Sequence, residues 1–146
     1  MRRLLILACS QRKNPARGKL PAIDRYDGPV FRVLRKYSRE DAANLPTVLI
    51  LSAKHGLIAA DREIPDYDRR LSSESAERLR PQVLKTASQV LSACQWHRIA
   101  ICAGKAYRVA LAGIAELVPQ GVRVDFLEGG QGPRLAELRR WLRQMP

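Results

Sequence analysis

Four short apolar runs, at residues 4–8, 48–51, 99–102 and 122–126, constrain this chain more than any other feature. Each is bounded by polar or glycine-containing segments and is too short for a helix, so each reads as a buried strand. Between them, apolar residues fall at helical spacing. Val30, Val33, Leu34 and Tyr37 follow Pro29, a residue suited to a first turn. Leu79, Val83, Ala87, Val90 and Cys94 make a second stripe, with Ser72 as N-cap and Pro81 expected to kink it or start a new helix. Ala106, Val109, Ala110, Gly113, Ile114 and Leu117 make a third. Leu135, Leu138, Leu142 and Met145 make a fourth, with arginines between them. The order β-α-β-α-β-α-β-α predicts a single α/β domain over residues 1–146. Its sheet would be mainly parallel, of four or slightly more strands, with helices on both faces.

A chain of 146 residues can bury one core. Its 26 Lys and Arg outweigh 14 acids, for a formal net charge of +12. That field attracts polyanions, so a nucleic acid is the expected partner, although the charges are spread along the chain rather than gathered in a tail. No apolar run approaches the ~20 residues that span a membrane. The opening MRRLLILACS imitates a signal peptide but is too short in its apolar part and lacks a small-residue cleavage pattern. A cytoplasmic protein with no membrane partner is expected. Cys9, Cys94 and Cys102 show no CxxC spacing, which indicates neither a disulfide frame nor a zinc site, and no metal or other cofactor is expected.

In an open parallel sheet, ligands bind beyond the carboxyl ends of the strands. The four runs lead into Cys9-Ser10-Gln11-Arg12-Lys13, Ser52-Ala53-Lys54-His55-Gly56, Ala103-Gly104-Lys105-Ala106-Tyr107 and Glu128-Gly129-Gly130-Gln131-Gly132. All four exits are polar, basic or glycine-rich, whereas the returns at 44–46, 95–96 and 119–121 are plain turns. The contrast places a candidate site at one edge of the sheet.

Gly104 and Lys105 offer free N–H groups and a cation to a phosphate or carboxylate, with an ordinary tight turn as the alternative. Glu128 and Gln131 flank glycines that let backbone approach a ligand, Glu128 being a candidate acid or base. Cys9 and Ser10 are candidate nucleophiles and Lys13 a cation or amine, although a thiol there is more often simply packed. Gln11, Arg12, Ser52, Lys54 and Gly56 are candidate substrate contacts on the same loops. His55 is a candidate base, whereas His97 stands near a strand start and so at the other edge. Asp66 and Asp68 flank Tyr67 behind Pro65; in an extended chain both carboxylates share one side. Such a pair suits an oxocarbenium-like centre or an attacking water, unless it only pairs with Arg62, Arg69 or Arg70. Tyr26, beside Asp27-Gly28-Pro29, offers a face on which a base can stack.

Taken in order, Cys9-Ser10-x-x-Lys13, the segment PAIDRYDGPVFR at 21–32, LILSAKHGLI at 49–58, Pro65-Asp66-Tyr67-Asp68 and Gly129-Gly130-Gln131-Gly132 resemble a small bacterial family of unknown function. That family carries the label YaaA-like peroxide-stress proteins, and the resemblance covers nearly the full chain. The CSxxK opening also resembles, more distantly, a domain of archaeosine-type tRNA modification enzymes with a uracil-DNA-glycosylase-like α/β fold. This second resemblance implies that fold here, with a nucleobase pocket and chemistry at a glycosidic bond or on a modified base.

Charge, sheet-edge loops and resemblance lead to one expectation: a nucleic-acid-directed protein acting on a nucleobase, as a DNA glycosylase-like N-glycosidase in repair, stress response or defence. DNA is expected over RNA, with Lys13, Asp66 and Asp68 carrying the chemistry. Two alternatives stay open, a non-catalytic DNA-binding peroxide-stress protein and a hydrolase of the N-glycosidic bond in free nucleotides.

Overall fold

The first apolar run becomes the middle of a sheet. In the computed structural model, which describes residues 2–127 and 129–144, β1 (Arg2–Ala8) pairs in parallel with two neighbours. On one side lies β3 (Thr47–Ser52), on the other β6 (Trp96–Cys102), and β7 (Arg123–Phe126) joins β6 in parallel. A fifth strand, β4 (Gly56–Ala59), turns back antiparallel on β3, giving the order β4-β3-β1-β6-β7. β2 (Leu20–Pro21) and β5 (Glu63–Ile64) form a separate ribbon. The mainly parallel α/β architecture is as expected. The antiparallel hairpin is an addition, because Gly56-Leu57-Ile58-Ala59 is too brief to stand out behind the turn signals before it.

Alternation along β1 splits the core into two layers. Leu5 and Leu7 pack with Phe31, Leu34, Leu138 and Trp141, from α2 (Pro29–Glu40) and α6 (Gln131–Arg143). Leu4 and Ile6 pack with Val83, Ala87, Leu91 and Ile114, from α3 (Ser73–Ala93) and α5 (Ile114–Leu117). The short α1 (Ala22–Arg25) belongs to the first layer and α4 (Lys105–Ala110) to the second.

Two helix expectations need correction. Of the two outcomes expected at Pro81, a kink or a new helix, the second does not occur, since α3 runs as one helix through it. Pro81 is exposed, so its lost hydrogen bond falls on the solvent side, while buried Ala76, Val83, Ala87 and Leu91 hold the helix to the sheet on either side of it. A capping box, with Ser75 N–H donating to Ser72 Oγ (3.1 Å) and Ser72 N–H to Ser75 Oγ (2.8 Å), starts it as the sequence implied. The third stripe, by contrast, breaks into α4 and α5, because Gly113 adopts a φ of 91° that interrupts the helix. Met145, the last residue of the fourth stripe, lies outside the described residues.

Two buried arginines escaped the sequence reading. Arg3 donates to the carbonyls of Trp141 (3.0 Å) and Leu142 (3.1 Å), where the α6 dipole is negative, and to Asn44 O (2.6 Å). Arg25 is fully buried, and its guanidinium donates to Asn14 O (2.6 Å), Ala16 O (2.9 Å), Gly18 O (2.6 Å) and Ile64 O (3.4 Å). It thereby pins the loop that leaves β1 to the β2–β5 ribbon. Arg25→Met, which keeps the bulk and removes the donors, is expected to cost about 2–3 kcal/mol in urea unfolding and to open Arg17 and Lys19 to trypsin. Unchanged stability together with an uncut loop would show that the guanidinium does not hold this segment.

Candidate functional site

β1, β3 and β6 run in the same direction, so their exits meet at one edge. Cys9 N–H donates to Leu51 O (2.9 Å), extending the ladder past the end of β1. Ser10 then ties this exit to the start of α2: its Oγ accepts from Gly28 N–H (3.1 Å) and donates to Arg12 O (2.6 Å). A Cβ at Gly28 would stand 2.7 Å from Ser10 Cβ, so the approach requires glycine. Next to it Asp27 is clamped by Arg35 (2.6 Å) and Arg32 (3.0 Å), with Arg12 at 3.7 Å. These cations, the hydrogen bond from Arg32 foremost, hold its carboxyl below the usual range.

A chain of hydroxyls lies at the end of β3. Ser52 Oγ, fully buried, accepts from the N–H groups of Lys54 (3.2 Å) and His55 (3.0 Å), which uses its acceptor capacity. Its own hydrogen therefore points to Tyr67 Oη at 3.0 Å, and Tyr67 in turn donates to Tyr26 Oη at 2.6 Å. On the neighbouring strand exit, Cys9 Sγ and Tyr107 Oη are 3.1 Å apart. Burial, the largest cause, pushes Tyr26 up to about 12 and raises Tyr67 and Tyr107 as well, so these phenols are neutral hydrogen-bonding groups at pH 7.

Cations surround this cluster. Lys13 Nζ lies 4.5 Å from the centre of the Tyr67 ring and Lys54 Nζ 5.7 Å from it. His55 meets the same ring edge-on at 5.6 Å, and its Nε2 is buried without a hydrogen-bond partner. Burial first, then Arg62, Lys54 and Arg69, lower the His55 pKa below its ordinary 6.5, so the imidazole is neutral at pH 7.

Between β1 and β6 opens a cleft of about 340 Å³, lined by Cys9, Gly28, Gly104, Tyr107, Gln131 and Arg134 among others. The chain leaves β1 toward β3 on one side and later returns to lay β6 on the other. This is the switch in strand order where open α/β sheets take ligands. None of the described residues lining the cleft is a carboxylate.

The structure thus gathers Cys9, Ser10, Gly104 and Gln131 at the cleft, and Lys13, Ser52, Lys54, His55 and Tyr67 beside it around the hydroxyl chain. Tyr26 belongs to that chain but is fully buried against Phe31 (ring centres 5.4 Å apart), so, against expectation, it offers a base no face to stack on. Gln11 is exposed and contributes its carbonyl to Lys13 Nζ (3.3 Å), while Arg12 faces Asp27. Gly56 opens β4 with a φ of 74° against the side chain of Gln82, which also bonds the edge strand at Leu57 N (3.1 Å); its role is the turn. Lys105 is exposed at the start of α4, and Glu128 lies outside the described residues. Asp66 and Asp68 are exposed, and Asp66 Oδ1 accepts from Tyr67 N–H (3.0 Å). Alternation does put the two carboxylates apart from Tyr67, but Tyr67 takes the inward direction. Tyr107 and Arg134 were not singled out from sequence. Their signal was position, since both fall in the first turn of a helix that begins at a strand exit.

A family model, DUF6884, a family of unknown function, matches residues 4–140. The chain belongs to that family. No curated protein matches it. Among solved structures it is similar to AF0587, a protein of unknown function, with a TM-score of 0.60 at 12% identity. The similarity covers 99% of this chain and 45% of that one, so the chain spans less than half the length of the structure it matches. At this identity the likeness concerns the fold.

Because burial favours their neutral forms, the tyrosines add stability that is complete below pH 10 and is lost as the pH climbs through about 12 for Tyr26. Phenolate absorbance from Tyr26, Tyr67 and Tyr107 is expected only as the chain unfolds; ionisation near pH 10 in the folded protein would contradict the packing. His55 should show an NMR titration midpoint below 6.5, moving upward in Arg62→Ala. A midpoint at the ordinary value would mean that the ring is solvated.

Proposed function

We propose that this protein acts on a nucleobase presented by a nucleic acid, holding the base in the cleft between β1 and β6. The observation that carries the reading is the cleft itself, set at the switch in strand order and lined by Arg134, with Lys13 and Lys54 over the Tyr67 ring beside it in a chain of net charge +12. Its volume of about 340 Å³ is at the small end of ligand sites, which suits a single base better than a dinucleotide. The distant resemblance of the CSxxK opening to a uracil-DNA-glycosylase-like domain of archaeosine-type tRNA modification enzymes supports the same substrate class, and the YaaA-like resemblance supports a role in stress.

The chemistry is hydrolysis of the N-glycosidic bond. The bond between C1′ and the base nitrogen breaks, a water oxygen joins C1′, and the departing base takes up a proton. Lys13 Nζ, over the Tyr67 ring beside the cleft, supplies the positive charge that stabilises the leaving base, and the hydroxyl chain from Ser52 through Tyr67 to the fully buried Tyr26 fixes that ring in place. Asp66 and Asp68, facing solvent, are secondary in this scheme. An enzyme of this kind reaches a base most readily in single-stranded or damaged DNA.

A second reading, DNA binding without turnover in peroxide stress, is favoured by one observation: no described residue lining the cleft is a carboxylate that would activate a water. Incubating the protein with plain, modified and damaged DNA, with nucleosides and with nucleotides, and reading freed base by mass spectrometry, separates the two. Released base is expected, falling about 10-fold or more in Lys13→Ala and Tyr67→Phe and by less than about 3-fold in Asp66→Asn/Asp68→Asn. Salt-sensitive binding with no product from any substrate would leave only the second reading.

A further inference from the structure

The layer that α2 and α6 form over the sheet holds a second groove. Pro29, in the first turn of α2, lines the cleft and also this groove, so the two meet at one turn. The groove has a volume of about 310 Å³ and carries Arg32, Lys36, Arg139 and Arg143 against a single acid, Glu40. Arg32 is held by Asp27 at 3.0 Å. Among the described residues, Lys36, Arg139 and Arg143 form no ion pair, so three cations with no acid of their own face one narrow channel. Over the 12 residues of α2 the channel is about 18 Å long at the usual helical rise.

We infer that this groove is the track for the phosphodiester backbone of a single-stranded DNA segment whose target base occupies the cleft, an inference that rests on the base-directed reading. Three facts favour that occupant. The charge in the groove has the sign and density that polyphosphate chains select, and the neutral side chains between the cations, Val33 and Leu135, offer sugars an apolar floor. The groove and the cleft adjoin at one turn, where Pro29 lines both. A base leaves a single strand without the cost of unpairing, which favours one strand over a duplex. A mononucleotide would have no use for it.

The test compares two triple variants that remove equal charge. Lys36→Ala/Arg139→Ala/Arg143→Ala strips the groove. Arg78→Ala/Arg80→Ala/Lys85→Ala strips exposed positions of α3, on the opposite layer. Binding of a short single-stranded DNA is followed across a salt series, and base release by the intact protein is measured in parallel. Losing three backbone contacts is expected to reduce the slope of log affinity against log salt by about 2, since each contact contributes roughly 0.7. The α3 variant should keep the parental slope, and both variants should keep the parental thermal midpoint. Equal slopes for the two triples, whether both reduced or both unchanged, would overturn the track while leaving any base release standing. A reduced slope confined to the groove variant, with no product from the intact protein, would keep the track as a DNA-binding surface and end the base-directed reading instead.

Discussion

The site depends on β1 being held between two parallel partners. Five residues pair with β3 and six with β6, so the middle strand cannot slide without exchanging its Leu4–Ile6 and Leu5–Leu7 faces between two filled layers. Parallel pairing also forces every crossover to return across the sheet, which delivers the exits of β1, β3 and β6 to one edge. The groups that meet there come from distant parts of the chain: Cys9, Ser52 and Gly104 follow three different strands. Ser10 then fixes the last degree of freedom, because its hydroxyl and the missing Cβ of Gly28 let α2 start directly against the end of β1.

What the edge holds is an unusual combination of neutral donors and permanent cations. Tyr26, Tyr67 and Tyr107 are buried enough to stay protonated, and Ser52 has its acceptor positions filled by backbone N–H groups, so the hydroxyl chain has a defined direction. Lys13 and Lys54 add positive charge on the outside of the Tyr67 ring, and burial, helped by neighbouring cations, keeps His55 neutral. Such an edge presents hydrogen-bond donors and positive charge side by side.

The strands were legible because an apolar run bounded by turns has few other uses in a chain this polar. The N-cap of α3 was legible for the same local reason, since Ser72 and Ser75 interact within one turn. Errors appeared where tertiary packing overrides local preference. Pro81 starts no second helix because four buried residues on the far face keep α3 on the sheet, and β4 exists because β3 offers it an edge. At the site, Asp66 and Asp68 are exposed and Tyr67 turns inward, because Ser52 and Tyr26 are there to receive its hydroxyl. Arg25 was invisible for a related reason: its partners are carbonyls at 14, 16, 18 and 64, and backbone carbonyls have no sequence signature.

The amino-acid sequence by itself determined the α/β alternation, the polar edge of the sheet and the strongly basic balance, because these follow from local periodicity and composition. Only the tertiary structure decided that Tyr67 rather than Asp66 or Asp68 enters the cluster, that Tyr107 meets Cys9, and that a cationic groove between α2 and α6 adjoins the cleft at Pro29. Those outcomes depend on where distant segments come to rest against one another, and pairings of that kind are set by packing in three dimensions rather than by spacing along the chain.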